Sequence, residues 1–316
     1  MSQYIVRRLV IMIPVVLGIT LINYAIINLA PGDPVDLLID PNLTEADRAT
    51  RREALGLNDP FLVRYARWLG ELVQGNLGYS YTTYEPVLER IGERVGPTLL
   101  LMGTALLVAY LLAIPLGIAS AVRPYSGLDY ATGVVGLLGV SLPTFFTGLV
   151  FIYVFSLKLG WLPSGGMTSL GGAAHWTDRL RHLILPAAVL ALANLGLMLR
   201  LVRSSTLEVL RQDFVRTARA KGLGPWQVLV RHVLRNTLLP VITMAGLQLP
   251  ALIAGSIITE QVFQWPGMGW LTIQAILGRD YPTLMGLNLL AAVMVLAGNL
   301  LADILYGVAD PRIRYE

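Results

Sequence analysis

Long apolar runs alternate with short polar stretches along the chain, and the length of the runs decides what kind of protein it is. A helix that crosses the hydrocarbon core of a bilayer needs about 20 mostly apolar residues, because lipid offers no hydrogen bonds and the backbone must satisfy itself. Six stretches meet that demand: 9–29, 98–122, 130–157, 183–201, 237–258 and 282–308. The pattern predicts an all-α membrane protein with about six transmembrane helices in one domain, 1–316. Arg7 and Arg8 precede the first run as they would in a secretory signal. The run is longer than the roughly 7 to 15 apolar residues of a signal, and no A-x-A pattern follows it, so it reads as a retained helix.

Composition agrees with the pattern. Of 316 residues, 55% are hydrophobic and 14% charged, and the mean hydropathy is +0.62, outside the range of ordinary soluble domains. The chain has no cysteine, which removes disulfides, thiolate metal sites and a cysteine nucleophile from consideration. A net charge of +4 could point to nucleic acid, but the basic residues sit in a few stretches between apolar runs and no nucleic-acid partner is expected. Those stretches orient the chain instead. Alternation through six spans puts Arg7 and Arg8, Arg123, the segment from Arg200 to Arg235, and Arg312 and Arg314 on one side. The positive-inside rule assigns that side, with both termini, to the cytoplasm.

Segment 31–96 then lies outside the membrane, and it has the marks of a folded piece. A turn at Pro31-Gly32-Asp33-Pro34 leads to a helical stretch with Thr44 as N-cap and Glu45, Asp47, Arg48, Arg51 and Arg52 on its polar side. A second stretch places Phe61, Leu62, Tyr65, Trp68, Leu69 and Leu72 at helical spacing, an apolar face to be buried against span ends or the membrane interface. Within the spans, Ser141, Thr144, Thr243 and Gln248 are polar. Two readings stay open for such residues: some line a wetted path, others bond a neighbouring helix.

The most informative stretch is the loop 204–236. An apolar stripe at Leu207, Leu210, Phe214 and Ala218 predicts a helix that stops at Gly222, a residue able to take the left-handed conformation. Gly224-Pro225 starts a second helix, with Pro225 where a missing N–H costs little. Between them lies a short helix, small at Ala218 and Ala220 and basic at Arg216, Arg219 and Lys221. A helix of this kind between two spans can insert into a groove of a soluble partner.

The run Phe214-Val215-Arg216-Thr217-Ala218-Arg219-Ala220-Lys221-Gly222-Leu223, followed by Arg231-His232-Val233-Leu234-Arg235-Asn236 and Leu239-Pro240, resembles the EAA loop of bacterial ABC-importer permeases in its dipeptide and oligopeptide form. Arg216 and Thr217 replace the first two positions of the general pattern, a departure typical of the peptide branch. Pro31-Gly32-Asp33-Pro34, Leu55-Gly56-Leu57, Gly75-Asn76-Leu77-Gly78, Trp265-Pro266-Gly267-Met268-Gly269, Arg279-Asp280-Tyr281-Pro282 and Asp310-Pro311-Arg312-Ile313-Arg314 resemble the B-type subunit of that branch. The resemblance implies the type I importer permease fold in a bacterial inner membrane, with residues 214, 216–222 coupling to an ATPase. It also implies a second, similar permease, two ATPase subunits that bind ATP and magnesium, and an extracytoplasmic solute-binding protein. Peptides are the expected solute; nickel or another small solute is the alternative within the family.

The chain itself carries no GxxxxGK[ST] and no HExxH, so neither nucleotide binding through its own P-loop nor a zinc protease site is expected, and no cofactor is assigned to it. A secondary transporter is the other rival. Such proteins keep ionisable residues deep in the membrane, whereas Glu260 and Asp303 are the acidic candidates here and both fall near span ends.

Overall fold

The computed structural model describes residues 2–29, 44–54, 58–169 and 175–309, and all the elements among them are helical. They are α1 (Ser2–Leu29), α2 (Glu45–Ala54), α3 (Phe61–Val73), α4 (Val87–Val122), α5 (Gly127–Ser141), α6 (Thr144–Phe151), α7 (Trp176–Leu210), α8 (Asp213–Ala220), α9 (Pro225–Val228), α10 (Leu234–Ala254), α11 (Ile257–Val262), α12 (Met268–Leu277) and α13 (Tyr281–Ala309). A π-helical turn, Ile152–Lys158, continues α6, and another, Leu229–Val233, joins α9 to α10.

Among the described residues four helices, α1, α4, α7 and α13, are each long and apolar enough to cross a membrane alone, and two bent pairs bring the total to six where each pair counts as one span. The third span is not the single rod expected over 130–157. The halves Gly127–Ser141 and Thr144–Lys158 meet at 107°, because Pro143 lacks an N–H and forces the preceding Leu142 into an extended conformation. The fifth bends by 44° between Gln248 and Pro250. The second starts eleven residues before the expected Thr98, at Val87. Its 36 residues make a rod of about 54 Å at 1.5 Å per residue, so the outer part of segment 31–96 is the first turns of a span. The apolar helix α12 lies between the last two spans and was not expected.

α7 is more deeply buried than the other unbroken spans. It packs on α4, α5, α6 and α10, and its Leu183, Ala187 and Leu190 enclose Trp265 with Leu101, Met102 and Ala105 of α4. Where α5 crosses α7, Gly136 and Gly196 lie face to face, and a Cβ on Gly196 would collide with the Gly136 carbonyl oxygen and lie 2.9 Å from Val140 Cγ2. Small residues at such crossings let backbones approach and gain dispersion contacts where lipid supplies no hydrophobic drive.

The expected apolar face of segment 31–96 finds its partner in α1. The ring of Tyr24 lies 5.4 Å from Phe61, 5.5 Å from Tyr65 and 6.0 Å from Trp68, and Tyr65 Oη and Thr20 Oγ1 share a hydrogen bond of 2.9 Å. Leu62, placed on the same face by its spacing, is exposed. The turn 31–34 and residues 55–57 lie outside the described residues, as do the side chains of Glu45, Asp47, Arg48 and Arg51.

These contacts sort the charges by end. α3 and the N-terminal ends of α4 and α13 gather at one end of the bundle, because Ser80 and Arg90 meet Asp280 there. The turn carrying Arg123 and the loop beyond α7 sit at the other, because Asp129 meets Arg203. Tyr24 places the far end of α1 by α3, so Arg7 belongs to the second, basic end. Arg312 and Arg314 lie outside the described residues.

The α5–α7 contact makes a direct prediction. Gly196→Val inserts three carbons where the Gly136 backbone stands and should cost about 1–3 kcal/mol or more by overpacking, lowering the unfolding midpoint in detergent. Gly133→Ala, one turn away with open space around it, should leave the midpoint unchanged or raise it.

Candidate functional site

At the basic end, α7 stops at Leu210 and the chain turns through Arg211 into an extended Gln212, ψ 149°, which opens α8. The break corrects the single stripe expected from Leu207 to Ala218. α8 restarts in a new register, so Val215 and Ala218 point inward and Phe214, 42% exposed, points out. Val215, Ala218, Val228 and Val233 form a small core closed by Val209, Leu210, Leu223 and Leu229. That core welds α8 to the end of α7 and to the start of the fifth span. Gly222 ends the helix at φ +84°, a conformation with a steric cost for residues that carry a Cβ. Pro225 opens α9.

Of the residues singled out in the sequence, Phe214, Arg216, Thr217, Arg219, Ala220, Lys221 and Gly222 are exposed together and Ala218 is not. Trp226, 73% exposed, joins them from α9. Arg216 Nη1 lies 3.3 Å from Asp213 Oδ1, both strongly exposed, a geometry that contributes little stability. The surface therefore offers two aromatic rings among cations, on a scaffold held rigid from behind.

The four polar span residues are not brought to one place. Ser141 ends α5, exposed, and Thr144 opens α6, half-buried, across the 107° break. Thr243 and Gln248 lie half-buried on α10, which packs on α13, α7 and α4, whereas α5 packs on α7 and α4. Gln248 Oε1 accepts a hydrogen bond from Tyr110 Oη at 3.2 Å, so that side chain bonds a neighbouring helix.

Two buried carboxylates at the opposite end hold the outer segment to the bundle. Asp280, with no exposed surface, accepts from Ser80 Oγ at 2.5 Å, Tyr81 N at 3.0 Å, Thr82 Oγ1 at 3.2 Å, Arg90 Nη1 at 3.0 Å and Thr283 Oγ1 at 2.7 Å. Glu260, also fully buried, accepts from Thr98 Oγ1 and from the Trp270 N–H, each at 3.1 Å. Thr98 Oγ1 in turn accepts from Met268 N at 2.7 Å, and Trp265 Nε1 donates to the Pro97 carbonyl at 2.9 Å. These bonds tie α11 and α12 to α4. Glu260 is thus a satisfied structural node, a burial its place near a span end did not announce. The side chain of Asp303 lies outside the described residues. Asp280, quoted only within the run Arg279-Asp280-Tyr281-Pro282, and Arg203, counted only as part of the basic stretch, carried no role in the sequence reading, and Asp129 was not noted. Ser126-Gly127-Leu128-Asp129 is a capping-box pattern that could have flagged Asp129, and Ser126 Oγ does accept from the Asp129 N–H at 3.3 Å.

Residues 113–315 match the family described as binding-protein-dependent transport system inner membrane component, and residues 1–102 match the N-terminal model of the same membrane component. The chain belongs to this family. It is 48% identical over its full length, and that of the relative, to the oligopeptide transport system permease protein AppB of Bacillus subtilis (strain 168). It is 41% identical to the di/tripeptide transport system permease protein DppB of Pseudomonas aeruginosa (strain UCBPP-PA14), and 38% identical to the dipeptide transport system permease protein DppB of Escherichia coli (strain K12), again over the full length of both chains. A chain of the MetNI methionine ABC transporter, in an inward-facing crystal form, shares the fold at a TM-score of 0.56 and 17% identity, covering 72% of this chain and 99% of that one. The chain is accordingly an ABC-importer permease subunit, multi-pass in the inner membrane, and ATP hydrolysis belongs to separate ATPase subunits.

Removing the Asp280 carboxylate should release the outer segment. Asp280→Ala takes from Arg90, whose side chain is 12% exposed, its buried carboxylate and leaves it Ser80 Oγ at 2.6 Å and the exposed Glu85 at 3.6 Å, so the cost stays below the roughly 3–5 kcal/mol of a fully uncompensated buried charge. Limited proteolysis should then cut between Gln74 and Pro86 faster than it does in the unaltered protein.

Proposed function

We propose that this permease carries di- or oligopeptides into the cell, forming half of a pathway whose other half is a second, similar permease. The peptide reading is supported by the relatives named as oligopeptide, di/tripeptide and dipeptide permeases. The basic end faces the cytoplasm, in line with the positive-inside rule. There the outward face of α8 seats in a groove of one of two ATPase subunits, which hold ATP and magnesium. The observation that carries this is the exposed set of Phe214, Arg216, Thr217, Arg219, Ala220, Lys221 and Gly222 on a short helix anchored from behind by Val215 and Ala218. An aromatic and cationic patch of this kind fits a complementary protein surface better than bulk water.

At the other end, α3 and the chain through Pro86 form a cap that meets a solute-binding protein. Ser141, Thr144 and Thr243 line the seam between the two permeases at separate places; Gln248, expected with them, is bonded to Tyr110 within this chain.

The direct test is reconstitution of the full importer in liposomes with external binding protein and internal ATP. Labelled di- and oligopeptides should accumulate; accumulation of nickel without peptide would contradict the solute assignment. Docking predicts a further split. Phe214→Ala and Arg216→Glu should leave the spans folded yet reduce solute-stimulated ATP hydrolysis by about tenfold, the size expected when an interface anchor is lost. Ala218→Trp should act differently, by bursting the small core behind α8 and lowering thermal stability.

A further inference from the structure

Asp129 and Arg203 form an ion pair with an unusual amount of geometry in it. Arg203 Nε donates to Asp129 Oδ1 at 2.6 Å and Nη2 to Oδ2 at 2.9 Å, so both carboxylate oxygens are held by one planar fork. The carboxylate also accepts from Ser120 Oγ and from the Tyr125 N–H at 2.9 Å. Ser120 belongs to the last turns of α4 and is fully buried. One side chain at the start of α5 therefore ties together α4, the turn to α5, and α7. The Asp129 side chain is 9% exposed and that of Arg203 36%, placing the pair at the edge of the packed helices.

Its position in the chain gives it a use. Arg203 stands two turns before Leu210, where α7 gives way to α8 and the exposed basic surface. Asp129 opens the helix that ends at Ser141, next to the 107° break at Pro143. Between these points α5 and α7 touch through Gly136 and Gly196, with Val140 against Gly196 and Leu192 against Gly139, a close contact that resists separation but contains no charged or directional bond. A bidentate guanidinium–carboxylate pair supplies that direction, because both bonds are lost when one helix shifts along the other.

We propose that the Asp129–Arg203 pair is a register lock that makes α5 follow α7, so that displacement of the basic loop is delivered to the break at Pro143. The proposal rests on the docking of α8 described above, which supplies the displacement. Asp129 and Arg203 are positioning residues: they touch neither solute nor nucleotide, and they act by fixing where α5 stands. In the absence of the lock, ATP hydrolysis in the partner subunits still moves α8 and the end of α7, but part of the movement is lost as slip between α7 and α5.

The test compares Asp129→Asn and Arg203→Lys in the complete importer, reconstituted with its ATPases and binding protein, with labelled dipeptide as the solute. Asp129→Asn removes the charge from the pair, and Arg203→Lys keeps the charge but loses the fork, so the second variant carries the test if the first fails to fold. Both should hydrolyse ATP within about twofold of the unaltered importer while dipeptide moved per ATP falls about tenfold, within the range of coupling energies between sites. A merely structural pair would lower hydrolysis and uptake in parallel with the amount of folded complex, and that result would overturn the proposal. So would a normal ratio in both variants. Failure of docking itself is read separately: Phe214→Ala and Arg216→Glu would then hydrolyse normally, removing the source of motion and the proposal with it.

Discussion

Where α5 and α7 cross at Gly136 and Gly196, there is no room for a side chain, and the rest of the bundle is arranged around a central helix held that closely. Lipid tails are as apolar as leucine, so burial from water cannot hold spans together, and close backbone approach has to. α7 meets that constraint on several sides. Gly196 faces α5, Val202 packs where Gly117 of α4 leaves space, and Leu195, Met198 and Leu199 pack with Ala113 and Met244. The helix that results is continuous from Trp176 to Leu210, and it runs directly into the loop that carries the exposed basic surface. Packing within the bundle and support of that exposed surface are thus properties of one element.

The two ends of the bundle use polar groups in opposite ways. At the end away from α8, Asp280 and Glu260 are buried and occupied by donors, which is the condition under which a carboxylate can be tolerated away from water. They hold the segment around Ser80 and the helices α11 and α12 against α4, giving a closed surface. At the other end the charges of α8 stay exposed and mostly unpaired, with apolar anchoring kept behind them. One end spends its buried charges on internal bonds, and the other leaves its charges at the surface.

Most of this was legible in the chain because membrane helices announce themselves by length and apolarity alone. The four unbroken spans, the aromatic face of α3, the left-handed stop at Gly222 and the start at Pro225 follow from local rules that the tertiary structure did not override. What was not legible depends on contacts between distant segments. Pro143 could have been read as a kink, but a bend of 107° reflects how α6 packs on α7 and α11. Phe214 turned outward because the helix broke at Gln212, and nothing local demanded that break. Asp129 with Arg203, and Asp280 with Ser80 and Arg90, are separated by more than 70 residues in sequence, and a single sequence carries no signal that pairs them.

The central claim is that α8, α7 and α5 move as one piece. Spin labels at Thr217 of α8 and Leu137 of α5, both exposed, would report their separation in the assembled importer in a bilayer, with ATP absent and with ATP bound. The account predicts the same distance distribution in both states, even as each label moves relative to a third on α13. A shift between Thr217 and Leu137 on ATP binding would contradict it.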